Sequence, residues 1–331
     1  MQDVLLAAVD VAPNAVHTRG MNASSKLRPF VCSFLSHVPR GRLVLFVHPA
    51  AAVDEVHAGI GSPSRATVLP IDSRGWIQLF RYAAYAAWLS IQADVRHVAV
   101  SDATDVVFQS DPFAHIHDGS DLVFSGEVSC IGCNTGNKYW VRNLYGSDVL
   151  KALSHEPGSC SGFTMGGGRA MGSYLRRMAD EIERKLVPRL PAMAHENLML
   201  AKGYDQGVHN VMLRDEFVVR RTTSGPAASR ADGMTAGDSA STGSSTGMLG
   251  TARRSHPELR TRLLPVGHVI MTAYRMVAGQ HFILNGSTVI GLSSVNATRR
   301  REPFAVVHQY NRLIRPYHSA IRLAAEGKCA H

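Results

Sequence analysis

Val98-Ala-Val-Ser-Asp102-Ala-Thr-Asp105-Val-Val-Phe-Gln-Ser-Asp111-Pro112-Phe113 is the stretch on which the reading of this chain turns. An apolar β-branched run, His97 to Val100, stops abruptly at Ser101-Asp102 and delivers carboxylates into a turn. In open α/β sheets, ligands bind outside the C-terminal ends of the strands. Two carboxylates three residues apart on such a bend can converge on one hard divalent cation, which in turn neutralises a diphosphate. The same residues also fit an Asx-type turn in which Asp111 is a cap before Pro112.

Working outward, the same alternation recurs. Val4 to Val9, and Leu43 to Val47 between Gly41 and Pro49, read as buried parallel strands, with Pro29 to Leu35 beginning a crossover helix. Ile77, Phe80, Ala84, Trp88 and Ile91 recur at helical spacing until Gln92-Ala93-Asp94, a helix of about four turns with Phe80 inward and Arg81 beside the buried stripe. Met171, Leu175, Met178, Ile182 and Leu186 mark a second amphipathic helix, preceded by Gly166-Gly167-Gly168 and stopped by Pro188. This is an α/β pattern, a mostly parallel central sheet flanked by helices. Residues 222–264 break it. They are rich in Ser, Gly, Thr and Ala, and no Phe, Tyr or Trp occurs between Phe217 and Tyr274, so the stretch reads as a disordered insertion. The expected organisation is one domain built from 1–221 and 265–315, the insertion at 222–264, and a C-terminal tail at 316–331.

The chain has 331 residues, 45% hydrophobic and 18% charged. A chain this long buries roughly three quarters of its unfolded surface, so a metal site here is read as chemistry and not as a staple. No apolar run approaches the ~18 residues that cross a bilayer. Asp3 and Asp10 flank the first apolar run without a basic leader, so it reads as a strand and not a secretory signal. The expectation is a soluble chain without signal or anchor, cytoplasmic or virus-encoded, with the secretory lumen also open. A net charge of +9 calls for a polyanionic partner. The basic runs Arg299 to Arg301, Arg220 with Arg221 and Arg253 with Arg254 are not interleaved with aromatics, which argues against nucleic acid and leaves an anionic surface or a phosphorylated small molecule.

Asp102-Ala-Thr-Asp105-Val-Val-Phe-Gln-Ser-Asp-Pro-Phe resembles the aspartate motif of nucleotide-sugar glycosyltransferases of the GT-A fold, a Rossmann-like nucleotide-diphospho-sugar transferase fold. Three further segments fit that family in order. Cys160-Ser161-Gly162-Phe163-Thr164-Met165-Gly166 is similar to its Asn-Ser-Gly segment, which lines the donor sugar. Asp205-Gln206-Gly207-Val208-His209-Asn210 resembles the Asp-Gln-x-x-x-Asn segment of glycogenin-like retaining enzymes. Val306-Val307-His308-Gln309-Tyr310 looks like the late strand whose histidine completes the metal site. The resemblance spans about residues 4 to 221 and 265 to 312. It departs from the family twice: the acidic pair is Asp102-x-x-Asp105 instead of Asp-x-Asp, and Cys160 stands where Asn is common.

What the resemblance implies is a metal-dependent glycosyltransferase that moves a sugar, with retention, from a nucleotide-diphosphate donor, UDP-linked by preference, to a glycan, protein or other hydroxyl acceptor. Asp105 corresponds to the metal-binding aspartate, and Asp102 binds metal, touches the ribose or orients the turn. His308 supplies the imidazole, and Mn2+ or Mg2+ is the expected ion. Arg81 and Tyr82 would meet the donor's phosphate or base, Ser161 and Gly162 would line the sugar, and Asp205 and Gln206 would act at the anomeric carbon; Lys202 and Arg312 are further diphosphate candidates. The physical demand behind this set is that a departing nucleoside diphosphate gathers negative charge, which a cation must meet.

Cys130-Ile-Gly-Cys133 fits a disulfide, buried thiols, or zinc shared with Cys160 and His155. Asn134, Asn137 and Trp140 follow it, with the indole suited to stacking on an acceptor sugar or to the core. Two other functions compete: a metal-dependent phosphotransferase using the Asp102–Asp105 pair, and a non-catalytic carbohydrate- or nucleotide-binding protein of the same fold.

Overall fold

The computed structural model describes residues 1–12, 23–74, 76–193, 195, 201–214, 260–264, 270–272, 282–285, 288–291, 304–308 and 315–327. In chain order these form β1 (Gln2–Asp10), α1 (Ala23–His37), β2 (Gly41–His48), α2 (Val53–Gly59), β3 (Ala66–Pro70), α3 (Ile77–Ser90), β4 (Val95–Asp102), β5 (Val106–Phe108) and β6 (Asp121–Cys130). There follow α4 (Thr135–Tyr145), α5 (Ser147–Leu153), β7 (Pro157–Gly167), α6 (Gly168–Lys185), α7 (Leu190–Met193), α8 (Tyr204–Met212), β8 (Arg260–Leu264), β9 (Ile270–Thr272), β10 (Phe282–Asn285), β11 (Thr288–Gly291), β12 (Val306–His308) and α9 (Arg315–Gly327).

Seven strands make the central sheet in the order β3-β2-β1-β4-β7-β6-β8. β7 runs antiparallel to both its neighbours, while the other pairings are parallel. The sheet is therefore mixed but mostly parallel, as expected of an α/β chain and compatible with a Rossmann-like fold. Strand residues alternate between two apolar layers because successive side chains point to opposite faces. Val4, Leu6, Val44, Val98 and Val100 face Tyr82 and Tyr85 of α3 and Met171, Leu175 and Met178 of α6. Leu5, Ala7, Leu43, Leu45 and Ala99 face Phe30, Val31 and Phe34 of α1. With both faces covered, the strands read as continuous apolar runs.

The helix expected from Met171 to Leu186 is present, and all five marker residues are buried. The helix beginning at Ile77 is also present, but its buried face is Leu79, Arg81, Tyr82, Tyr85 and Leu89. Phe80 is only half-buried and Ile91 is 78% exposed, which corrects the expected orientation. Most of residues 222–264, and the composition-based reading of them, lie outside the described residues. The last five, Arg260–Leu264, form β8 paired with β6 at the sheet edge. The tail carries α9, which contacts α1 and buries Ile321 and Ala325.

A small second sheet, β5-β12-β9, lies beyond the end of β4. β5 is pinned from both sides. The Phe108 amide donates to Ser33 Oγ of α1 at 3.1 Å, and the Gln109 amide donates to the Ala305 carbonyl at 2.8 Å. β12 pairs antiparallel with β5, His308 opposite Val106.

Candidate metal centre

That register builds the site. β4 ends at Asp102, Ala103 is buried beneath the turn, Asp105 precedes β5, and the pairing of β12 lays His308 across from the residue after Asp105. His308 Nε2 lies 3.2 Å from Asp102 Oδ2 and 3.9 Å from Asp105 Oδ1. One ligand atom from each residue lies within 4.8 Å of the others, and no second such group of three occurs among the described residues. A six-coordinate ion with bonds of about 2.1 Å needs neighbouring ligand atoms about 3 Å apart. The His308–Asp102 pair meets that spacing and the His308–Asp105 pair is wider by under about 1 Å, and two carboxylates with one imidazole suit Mn2+ or Mg2+ better than a thiolate-seeking ion. Gly162 of β7 leaves room for them: a Cβ there would fall 2.3 Å from His308 Cε1 and 2.7 Å from Asp102 Oδ2.

Arg81 extends the site inward. Its Nη1 donates to Asp102 Oδ1 at 2.5 Å and its Nη2 to Asp205 Oδ2 at 2.9 Å, so one buried guanidinium bridges the acidic turn and the start of α8. Arg81 is thus neither on a solvated face nor open on all sides to a phosphate. Ser161 Oγ at 3.0 Å and Tyr82 Oη at 3.3 Å donate to the same Asp205 oxygen. No bond to Asp205 Oδ1 occurs among the described residues.

Electrostatics separates the two carboxylates. Burial favours a neutral carboxyl at both. At Asp102, Arg81 and His308 overcome it and hold the group well below the usual carboxylate range. At Asp205, burial together with the Asp102 charge outweighs Arg81 and pushes the carboxyl up. Burial disfavours an imidazolium at His308, but the Cys160 sulfur and the Asp102 and Asp105 carboxylates outweigh it and raise the ring well above its ordinary value. Positive charge is thus favoured where the three ligand atoms meet, whether carried by a proton or by a cation.

Next to Asp205 lies a polar cluster of Gln206, Asn137 and Glu127. Gln206 Nε2 donates to Glu127 Oε1 at 3.2 Å and to Asn137 Oδ1 at 2.9 Å, and Asn137 Nδ2 donates to Glu127 Oε2 at 3.1 Å. Glu127 and Asn137 are buried, and Gly158 makes room for them, since its Cβ would fall 2.8 Å from Glu127 Oε2. Gln206 is expected from the resemblance, whereas Glu127 is not, because a carboxylate six residues from Asp121 on β6 belongs to no spacing pattern.

The other expected residues separate cleanly. Asp111 accepts from the Phe113 amide at 2.8 Å and caps the turn Pro112–His115, apart from the metal centre. Cys130 and Cys133 form a disulfide, and Cys160 is a buried free thiol beside His308, so no zinc set forms from them. Asn134 caps α4. Trp140 packs on the backbone of α8 and the turn before it, where a Cβ at Gly203 would overlap Cζ2 and one at Gly207 would meet Cβ of the indole. Lys202 is half-buried in that turn, with Asp10 as a neighbouring carboxylate, and burial lowers its pKa. Arg312 lies outside the described residues.

No protein-family model matches the chain, and no curated protein matches its sequence. No helix among the described residues is long and apolar enough to cross a membrane.

Proposed function

We propose that this protein is a metal-dependent glycosyltransferase of the GT-A type, taking a nucleotide-diphosphate sugar, UDP-linked by preference, and a hydroxyl acceptor on a glycan or protein. The reading rests on one observation: Asp102, Asp105 and His308 converge at the C-terminal edge of the sheet, bridged by Arg81 to Asp205. The mostly parallel central sheet covered by helices on both faces is compatible with the Rossmann-like fold this reading requires.

In this reading Asp102, Asp105 and His308 hold Mn2+ or Mg2+, which when bound supplies a Lewis acid for the charge growing on the leaving diphosphate. Arg81 holds Asp102 and Asp205 in fixed relation. Three donors on Asp205 Oδ2 fix that carboxyl, leaving Oδ1 to face the sugar. Glu127, Asn137 and Gln206 offer one carboxylate and two carboxamides to sugar hydroxyls. The leaving group is already a stabilised diphosphate and needs no protonated acid: with retention, the bond from the anomeric carbon to the diphosphate breaks, the acceptor hydroxyl bonds to that carbon on the face the diphosphate vacates, the hydroxyl proton passes to the departing diphosphate, and Asp205 and Gln206 steady the positive charge on the ring.

Incubation of the protein with Mn2+ and a panel of nucleotide sugars tests the proposal. A transferase releases nucleoside diphosphate, and Asp105→Ala abolishes that release while the circular dichroism spectrum stays that of the folded protein. Release of inorganic phosphate from phosphoesters instead would assign a phosphotransferase, and binding without release a non-catalytic protein. Turnover unchanged in Asp105→Ala removes the metal assignment.

A further inference from the structure

Cys160 is the one residue of the Ser161-Gly162 segment that departs from the family pattern, and its side chain faces the imidazole. It is 3% exposed. Its sulfur lies 3.6 Å from His308 Nδ1, on the far side of the ring from the two carboxylates, and accepts a hydrogen bond from the Gly162 amide at 3.5 Å.

The hydrogen between Sγ and Nδ1 decides what the ring can do. A thiol donating to a neutral ring's Nδ1 would leave the ring hydrogen on Nε2, the atom facing Asp102 and Asp105, and close it to a cation. A sulfur accepting from Nδ1–H leaves the Nε2 lone pair for a metal. Groups that hold a ligating histidine through its other nitrogen are usually carboxylates or carbonyls.

We infer that Cys160 is the positioning residue for His308: its sulfur accepts the Nδ1 hydrogen and turns Nε2 toward the cation site formed with Asp102 and Asp105. This rests on the metal reading proposed above. It also explains why a thiol is tolerated here, since this side chain is turned to the imidazole and the Gly162 amide, and the sugar contacts fall to other groups.

Mn2+ alone is titrated into the full-length protein and into Cys160→Ala, Cys160→Ser and His308→Ala variants, with the free ion counted by its electron paramagnetic resonance. Wild type binds Mn2+, Cys160→Ser keeps most of the affinity, Cys160→Ala loses roughly 10- to 100-fold, and His308→Ala sets the floor. Ring 1H–15N spectra of the metal-free protein, recorded at a pH at which the ring is neutral and one nitrogen alone carries hydrogen, show a slowly exchanging Nδ1–H in wild type and Cys160→Ser that exchanges fast in Cys160→Ala. Equal Mn2+ affinity in wild type and Cys160→Ala overturns the positioning role and leaves the metal centre standing. Failure of wild type to bind Mn2+ while Nδ1–H is intact overturns the metal reading and this inference with it. Should Cys160→Ala not fold, the wild-type spectrum decides alone, since an Nδ1 without a hydrogen overturns the inference.

Discussion

Gly162 and Arg81 set the tolerances of the site at the scale of single residues. Gly162→Ala puts a methyl group where His308 Cε1 and Asp102 Oδ2 now sit, and neither a strand-bound imidazole nor an arginine-paired carboxylate can retreat cheaply. The expected result is a folded protein whose Mn2+ affinity falls by at least about tenfold, read by the same titration. Arg81 is different because it neutralises charge that is already buried: its side chain is 7% exposed and that of Asp205 is 5% exposed. Removing one partner of such a pair costs about 3 to 5 kcal/mol, chiefly because the other is left uncompensated. Arg81→Met should therefore lower the urea-derived stability by that amount, and adding Asp205→Asn should restore part of it. Additive losses in the double variant would show that the two groups are not coupled.

His209 ties α8 to a neighbouring helix and to the sheet, with Nδ1 2.7 Å from Tyr174 Oη of α6 and Nε2 2.9 Å from Ser159 Oγ of β7. Burial, aided by the charges of Arg214 and Arg81, pushes its pKa down to about 3. The unfolded chain takes up this proton near pH 6.5 and the native one does not until about pH 3, so between them the unfolded state binds more protons. Stability from this group is present above about pH 6.5 and is lost as pH falls toward about pH 3. Urea midpoints should drop more steeply from about pH 6 to about pH 4 in wild type than in His209→Gln, and parallel slopes would refute the assignment. Much of this element scale was legible in the sequence. Fully apolar runs located β1, β2 and β4, and the stripe from Met171 to Leu186 located the inward face of α6. The face of α3 was misjudged for a physical reason: Arg81, Tyr82 and Tyr85 are turned inward toward a buried charge network, while apolar Phe80 and Trp88 stay half-exposed. Apolar spacing registers hydrophobic burial but not paired burial of charge. The acidic turn announced itself by spacing, His308 only through the resemblance, Asn137 only as a polar group following Cys133, and Glu127 not at all, since packing of α4 against α8, and not sequence separation, brings Asn137 and Glu127 to Gln206.

Across the whole molecule, the proposed cation ligands join the middle of the chain to the last strand among the described residues. Asp102 ends β4, the central strand of the main sheet, Asp105 lies in the turn after it, and His308 reaches them through the β5–β12 register. An ion bound there favours the folded chain over the unfolded by mass action, by about 2.7 kcal/mol at a hundredfold excess over its dissociation constant. Saturating Mn2+ should raise the thermal midpoint of wild type and leave that of Asp105→Ala unmoved; an equal rise in both would place the ion elsewhere. The two halves of the ligand set also come from opposite sides of residues 222–259. A single proteolytic cut in that interval would divide them, and neither fragment alone could sense the ion. Zipped together again by the β6–β8 and β5–β12 pairings, the fragments would recover it, so manganese uptake becomes a direct gauge of whether severed halves have reassembled.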